Sequence, residues 1–202
     1  MTAEERALIK DICSDEIGVS PETLEAVIVL AVEIAREGRE GRKVGTMFVV
    51  ADSEAVLRGS RCLILDPLKG HPDSVRHIGD PNMRETIKEL AQLDGAFVVR
   101  DDGVVISAAR YIDASSEGLE LPLGLGSRHM AGAAVSRDTH AVAVVVSESS
   151  VVRIFDDGRL ISEIIPELWL LRREGLHGTY GRGGGETVVM MPVEEEEDIA
   201  RA

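Results

Sequence analysis

The feature that most constrains this fold is a series of short valine- and isoleucine-rich runs, two pairs of which are joined by the same tripeptide, Asp-Asp-Gly. One pair occupies residues 94–111 and the other occupies residues 151–164. An Asp-Gly step between two β-branched runs is a strong hairpin signal, because the turn needs residues that tolerate a positive φ. Three further runs, at 45–52, 61–66 and 140–146, are predicted as single strands.

Helical patterns separate these runs. Ser20-Pro21 and Asp80-Pro81 each combine a side chain suited to an N-cap with proline at the first helical position. The predicted helices cover residues 21–36, 82–93, 127–136 and 166–173. Because hairpins alternate with helices, the chain is predicted to be α/β: a single domain with a mixed, roughly seven-stranded central sheet flanked by helices. Aromatic residues make up only 3% of the chain, so Val, Ile, Leu and Ala must form the core.

The chain divides into three predicted regions. Residues 1–40 form an N-terminal helical region, and residues 41–173 form the main domain. Residues 174–202 are rich in glycine and then in acidic side chains, so we expect a flexible tail with a short strand near 187–191.

Charge and composition exclude several classes of protein. The chain carries 36 acidic and 22 basic residues, without the basic stripe that DNA binding requires, so no DNA partner is expected. The longest apolar run near the N-terminus is interrupted by Glu25 and Glu33, which argues against a membrane anchor. Cys13 and Cys62 stand alone and form no CxxC motif, as expected of a protein in the reducing cytoplasm.

In this acidic chain, the segment "LGSRHMAGAAVSRD" places Arg128 and His129 where a helix is predicted to begin. A helix N-terminus presents unpaired N–H groups and a partial positive charge, which suit an anion. Arg128 adds a planar guanidinium that fits phosphate oxygens, and His129 can donate to a phosphate or bind a metal. Gly124 and Gly126 let the backbone approach a ligand closely.

Two other segments agree with this interpretation. Asp94 lies in "DGA" at a predicted helix-to-strand boundary, where its carboxylate can face a metal ion. Ser147 and Glu148 follow a predicted buried strand, so their side chains emerge at an edge of the sheet, where α/β proteins bind ligands. Together the three segments predict a site for a nucleoside triphosphate.

The motifs "DGA" at 94–96, "LGSRH" at 125–129 and "VVVSE" at 144–148 resemble the diadenylate cyclase domain, first known as the N-terminal domain of the DNA integrity scanning protein. The resemblance covers roughly residues 45–165, with the motifs in the family's order and spacing, and it is greatest to the soluble archaeal diadenylate cyclases. The family pattern usually has Thr in place of Ser127 and Arg in place of Met130.

The resemblance implies that two ATP molecules are converted to cyclic di-AMP and two pyrophosphates where two subunits meet face to face. It implies a homodimer or larger homo-oligomer and a Mn²⁺ or Mg²⁺ ion held by Asp94, His129 and Glu148. Asp94, Arg128 and His129 are the implied catalytic residues. ATP contacts are implied for Gly95, Ala96, Tyr111, Ile112, Gly126, Ser127, Arg128, His129, Ser147 and Glu148.

One alternative stays open at this stage, a nucleotide-binding sensor on the same fold that lacks catalysis, which Met130 motivates. A serine hydrolase built on Ser127 and His129 is disfavoured, because the chain lacks the Gly-x-Ser-x-Gly turn of such enzymes. The glycine-rich segment 178–185 lacks the Gly-Lys-Ser/Thr ending of a phosphate-binding loop.

Overall fold

Helices and strands alternate along the chain in the computed structural model, which describes residues 18–113, 115, 117–119, 121–173, 178–182 and 188–192. The α-helices are α1 (Pro21–Glu37), α2 (Ser53–Arg58), α3 (Pro81–Leu90), α4 (Ser127–Asp138) and α5 (Pro166–Arg173), and a short 3₁₀ turn covers Asp73–Val75. The strands are β1 (Thr46–Val50), β2 (Ser60–Cys62), β3 (Ala96–Val99), β4 (Val105–Ile112), β5 (Val142–Val146), β6 (Val152–Asp156), β7 (Arg159–Ile164), β8 (Gly178–Arg182) and β9 (Val188–Pro192).

The first seven strands form one mixed sheet in the order β2-β4-β3-β1-β5-β6-β7. Strands β1 and β3 pair in parallel, and each of the other neighbouring pairs in this sheet is antiparallel. The β3–β4 and β6–β7 pairs are the hairpins that the two Asp-Asp-Gly tripeptides predict. The predicted fold class, a mixed seven-stranded sheet flanked by helices, is therefore confirmed. Strands β8 and β9 form a separate antiparallel pair.

Each face of the sheet is covered by helices, because side chains alternate along every strand. On one face, Phe48 and Phe97 stack with their ring centroids 5.1 Å apart, in a core that includes apolar side chains of α1, α3 and α5. On the other face, Met47 and Val145 pack against α2 and α4. Among the described residues, no helix has both the length and the apolarity that crossing a bilayer demands.

Local capping signals predicted the helix starts well. The Ser20 hydroxyl accepts from the Thr23 N–H, and the Asp80 carboxylate accepts from the first-turn N–H groups of α3. Helix α4 begins at Ser127, as predicted, but it is capped differently from the other two: Gly126 is the N-cap residue, and no side chain caps the helix.

The strand predicted over 61–66 is wrong in its second half. Strand β2 ends at Cys62, although the Leu63 N–H still donates to the Ala109 carbonyl. Ala109 has a φ of 52°, so β4 bends out of the regular ladder at this point. The segment that follows β2 leaves the sheet, and Leu65 in it is 94% exposed.

Two elements were missed by the sequence analysis. Helix α2 is only six residues long and begins after Asp52, which has a φ of 37° and makes no side-chain cap. Strand β8 lies in the glycine-rich part of the predicted flexible tail. The first 17 residues of the predicted N-terminal helical region lie outside the described residues, as does most of the predicted flexible tail.

Candidate functional site

The topology gathers the three predicted motifs at one edge of the sheet. Because β1 and β3 run parallel to each other and antiparallel to β4 and β5, the starts of β1 and β3 lie beside the ends of β4 and β5. Asp94 and Gly95 precede β3, and Ser147 and Glu148 follow β5. Helix α4 leads into β5 from the opposite edge, so its first turn lies at the same edge as these residues.

Arg128 lies at the centre of this group. Its guanidinium packs against Gly45, the residue before β1, so closely that a Cβ at Gly45 would overlap Nη1 and lie 3.1 Å from Cζ. The same Cβ would lie 3.2 Å from Cγ of Glu148, so the two side chains share the space beside Gly45. On the other side, Arg128 Nη2 is 3.7 Å from Oδ1 of Asp94, whose side chain is 91% exposed. Arg128 is therefore flanked by two carboxylates at the mouth of the site.

The N-terminus of α4 is open. A Cβ placed on Gly126 would meet nothing within 4 Å, and Ser127 is exposed. Both backbone bonds that the Gly126 carbonyl accepts come from deeper in the helix, from the N–H groups of His129 and Met130. The first turn thus presents N–H groups and a guanidinium to the same space, a combination that suits an anionic ligand.

His129, one residue further along α4, points into the protein. It is buried beside Phe155, and its Nε2 lies 3.2 Å from Nη1 of Arg153 on β6. Burial is the main cause that lowers the pKa of His129 to about 4, and the charges of Arg153 and Arg128 lower it further. The Glu163 carboxylate and the Gly126 backbone oppose this shift. His129 is therefore a neutral imidazole at physiological pH.

Ser147 and Glu148 differ in their surroundings. The Ser147 hydroxyl is buried, lies 2.7 Å from the Ser149 hydroxyl and donates to the Val151 carbonyl at 3.0 Å. These bonds hold the turn between β5 and β6, which leaves Glu148 exposed beside Gly45. Of this predicted pair, Glu148 is the side chain that lies open to a ligand in the structure.

Residues 33–160 match the family model described as DisA bacterial checkpoint controller nucleotide-binding, the DAC domain. The chain belongs to this family. A protein named diadenylate cyclase from Methanocaldococcus jannaschii is 47% identical over 150 residues, which cover 74% of this chain and 47% of that protein. A diadenylate cyclase from Haloferax volcanii is 44% identical over 151 residues, which cover 74% of this chain and 55% of that protein. The chain thus spans about half the length of these curated relatives.

Two solved bacterial structures are more distant from this DAC-domain chain. A hypothetical membrane spanning protein from Bacillus cereus has a TM-score of 0.48 and 22% identity, over 69% of this chain and 62% of the other. A double mutant of DacA from Staphylococcus aureus has a TM-score of 0.49 and 20% identity, over 75% of this chain and 94% of the other.

The glycine of the DAC motif "DGA" has a structural reason of its own. Gly95 has a φ of 108°, and a Cβ there would lie 2.7 Å from backbone atoms of Ala109 and Arg110. Glycine is required here so that β3 can approach the bend in β4. Ala96 is fully buried in β3, so the nucleotide contacts predicted for Gly95 and Ala96 stay predictions.

Tyr111 and Ile112 lie on opposite faces of β4, as consecutive strand residues must. Ile112 is buried on the face that carries α4, whereas Tyr111 is 46% exposed on the other face. The guanidinium carbon of Arg61, the residue opposite Tyr111 in β2, is 4.3 Å from the centroid of the Tyr111 ring. Of these two predicted ATP contacts, Ile112 is therefore the one that shares a face with Arg128.

The residues predicted to hold a metal ion fit that role in part. Asp94 and Glu148 are exposed carboxylates on either side of Arg128, and such oxygen ligands suit Mg²⁺ or Mn²⁺. In His129, one ring nitrogen faces the Arg153 guanidinium and the other is enclosed. Within the described part of the chain, no group of three or more His, Cys, Asp or Glu side chains is close enough to hold a metal ion.

Sequence reasoning missed two residues of this site, Gly45 and Arg153. Gly45 gives a weak sequence signal, a glycine just before a buried strand, and nothing local indicates that Arg128 packs on it. Arg153 occupies an alternating hairpin strand, where an arginine ordinarily faces solvent. Only the packing of α4 on the sheet brings these residues to Arg128 and His129.

Proposed function

We propose that this protein is a diadenylate cyclase that condenses two ATP molecules into cyclic di-AMP and two pyrophosphates. Each 3′-hydroxyl attacks the α-phosphorus of the other nucleotide, so two new phosphodiester bonds form as two pyrophosphates leave. The observation that carries the proposal is the positively charged Arg128 side chain at the open N-terminus of α4, in a chain of the DAC family. Arg128 packs against Gly45, with Asp94 and Glu148 on either side.

Each group has a role that follows from its chemistry. The free N–H groups of the first turn and the Arg128 guanidinium bind phosphate oxygens. The Asp94 carboxylate, almost fully exposed, accepts the proton of the attacking 3′-hydroxyl. Phosphoryl transfer depends mainly on alignment and charge neutralisation, which a rigid helix end beside a sheet edge can provide.

A divalent cation is part of the proposal. Asp94 and Glu148 are the residues that would hold Mn²⁺ or Mg²⁺, which neutralises phosphate charge when bound. Binding there also changes the surroundings of Arg128, because Asp94 is its ion-pair partner in this structure. His129 contributes from the protein side of the helix and does not hold the metal.

The reaction requires two copies of the chain. One subunit supplies one triphosphate site, so a face-to-face homodimer, alone or within a larger homo-oligomer, brings the two nucleotides together. The proposal places this chemistry in the cytoplasm, where ATP is available, without a membrane or DNA partner.

A product assay tests the proposal. The purified full chain is incubated with ATP and either Mn²⁺ or Mg²⁺, and cyclic di-AMP and pyrophosphate are measured by mass spectrometry together with the oligomeric state by light scattering. We expect both products in a one-to-two ratio, and their absence when metal is removed with a chelator. ATP binding by a dimer that forms no product would instead favour the sensor that Met130 motivates.

The Asp94→Asn variant sharpens the assay. We expect turnover to fall by about 10²-fold or more, the scale of a general base, while ATP binding changes little because the amide keeps the shape of the side chain. Full activity in this variant would remove Asp94 from the mechanism. Asp66→Asn is not a suitable control, because Asp66 bonds to Ser107 in the fold. The exposed Asp157→Asn, in the turn between β6 and β7 at the opposite end of the sheet, is the matched control.

A further inference from the structure

Behind Arg128, a partly buried row of three side chains runs from α4 across two strands. Arg153 on β6 lies directly opposite Glu163 on β7, and its Nε donates to Oε1 of Glu163. Their side chains are only 15% and 24% exposed. The Nη1 atom of Arg153 then reaches back 3.2 Å to Nε2 of His129. The row therefore links β7, the last strand of the sheet on this side, to the first turn of α4.

Stability alone does not account for this ion pair. Removing two charges from water costs much of what their attraction returns, and well-packed apolar residues often replace such a pair without loss. The neighbouring positions on this face, Phe155 and Leu160, show that the region can pack apolar side chains. The Nη1 atom of Arg153, which does not bond to Glu163, points instead at His129, so the effect of the pair falls on that ring.

The contact determines which nitrogen of His129 carries the proton. A guanidinium has donors and no acceptor, so a neutral imidazole beside it must accept at Nε2. Its single proton then lies on Nδ1. In this structure Nδ1 is buried in the first turn of α4, near the Gly126 backbone that opposes the lowering of the His129 pKa, and it makes no hydrogen bond of normal geometry.

We propose that Arg153, held in place by Glu163, is a positioning residue that fixes His129 as the Nδ1–H tautomer, so that the buried Nδ1–H faces the Gly126 backbone and orients the first turn of α4 for an anionic ligand bound at its N-terminus. The inference rests on the proposed function for the identity of that ligand, a phosphate oxygen of ATP. Arg153 itself does not contact the nucleotide. Because Nε2 is engaged by Arg153, it is not available to a metal ion.

Nuclear magnetic resonance tests the tautomer without any activity measurement. In full-length protein labelled with ¹⁵N-histidine, long-range ¹H–¹⁵N correlations distinguish Nδ1–H from Nε2–H rings. We expect His129, assigned by comparison with a His129→Gln sample, to be the Nδ1–H form. Replacing the pair by Arg153→Met with Glu163→Leu removes both charges together, and the preference for Nδ1–H should be lost.

Controls separate this effect from a change in folding. Arg159→Met removes an exposed arginine from β7, and the His129 tautomer should not change. If the doubly substituted protein does not fold, Arg153→Gln with Glu163→Gln keeps polar side chains at both positions but gives His129 an amide that can donate or accept, and the same loss of preference is expected. An Nε2–H ring in the native protein, or an unchanged tautomer in a folded variant, would overturn the inference.

A double-mutant cycle on ATP affinity tests the positioning role. The Arg153→Met/Glu163→Leu replacement should weaken ATP binding about tenfold in the native background, because the first turn loses one interaction that orients it, worth about as much as one hydrogen bond. In a His129→Ala background, the same replacement should cause little further loss. Equal losses in both backgrounds would mean that Arg153 does not act through His129. If the native chain fails to bind ATP, the proposed function is wrong, and the tautomer measurement alone then decides the inference about Arg153.

Discussion

Helices α1 and α4 cover opposite faces of the same sheet, and they are built in opposite ways. Helix α1 has 17 residues, a side-chain cap at Ser20 and fully buried Leu24, Val27, Ile28 and Leu30. Helix α4 has 12 residues and no side-chain cap, and its buried side consists mainly of small residues. A Cβ on Gly132 of α4 would lie only 2.8 Å from Cγ2 of Val145, so the helix lies unusually close to the sheet.

The two helices contribute to different properties, α1 to stability and α4 to the candidate binding site. Large apolar side chains in α1 remove much surface from water, and its cap satisfies the first N–H groups. Small residues in α4 let its backbone approach the sheet, and the lack of a cap leaves N–H groups for a ligand. The buried Nδ1 atom of His129 belongs to the same uncapped turn. One helix anchors the sheet, and the other presents the site.

The largest expected effect concerns α1. Ile28→Ala removes a fully buried side chain from the core, and it should lower the free energy of unfolding by about 2–5 kcal/mol. Urea denaturation followed by circular dichroism measures this loss. ATP affinity per folded molecule should stay unchanged, because Ile28 lies on the face away from Arg128. A parallel loss of affinity would mean that α1 also shapes the site.

A smaller effect concerns pH and α4. The unfolded chain binds a proton at His129 with a pKa near 6.5, whereas the folded protein holds this pKa at about 4. Stability should therefore fall as pH decreases from about 6.5 to 4, by at most about 3 kcal/mol, and this contribution should then level off. Urea denaturation at a series of pH values measures it, and His129→Gln should flatten this part of the profile. Identical pH profiles for both proteins would contradict the prediction.

The two helix starts can be compared directly. Ser20→Ala removes the hydroxyl that accepts from Thr23, so the free energy of unfolding should fall by about 1 kcal/mol. Ser127→Ala removes a hydroxyl that caps nothing, and stability should change by less than about 0.5 kcal/mol. Thermal and urea unfolding of both variants measure the contrast. A larger loss at Ser127 would show that α4 is capped after all.

The smallest expected change in stability is at Gly45. Nothing in its φ forbids alanine, and the nearest atom that a Cβ would meet is the end of the flexible Arg128 side chain, so Gly45→Ala should fold normally. Because the Arg128 guanidinium must move away from Gly45, ATP binding should weaken. The loss should not exceed that of Arg128→Ala, for which about 1.5–3 kcal/mol is expected, the range for a hydrogen bond to a charged group. Isothermal titration calorimetry measures both variants. Gly59→Ala, where a Cβ has 3.6 Å of space, is the control. If Gly45→Ala leaves the ATP affinity unchanged while Arg128→Ala lowers it, Arg128 does not need to pack against Gly45 in order to bind ATP.

The elements that were predicted well depend on local chemistry. Ser20 and Asp80 cap their helices, and the two Asp-Asp-Gly turns close their hairpins, because these residues act within a few positions of themselves. Helix α2 escaped prediction because it is too short to show a period and starts from a left-handed Asp52. The end of β2 escaped because it depends on the bend at Ala109, far away in the chain.

The same division applies to the site. The sequence predicted that Asp94, Arg128 and Glu148 come together, because each stands where a helix or strand begins or ends, and such ends carry free polar groups. The parallel pairing of β1 with β3 and the antiparallel pairing of β1 with β5 decided that these ends meet at one edge. Packing at this edge joins residues that are far apart in the chain. Arg128 packs against Gly45, which is 83 positions away, and His129 contacts Arg153, which is 24 positions away. Local sequence carries no record of such contacts, because they depend on the distance at which a whole helix settles on a sheet.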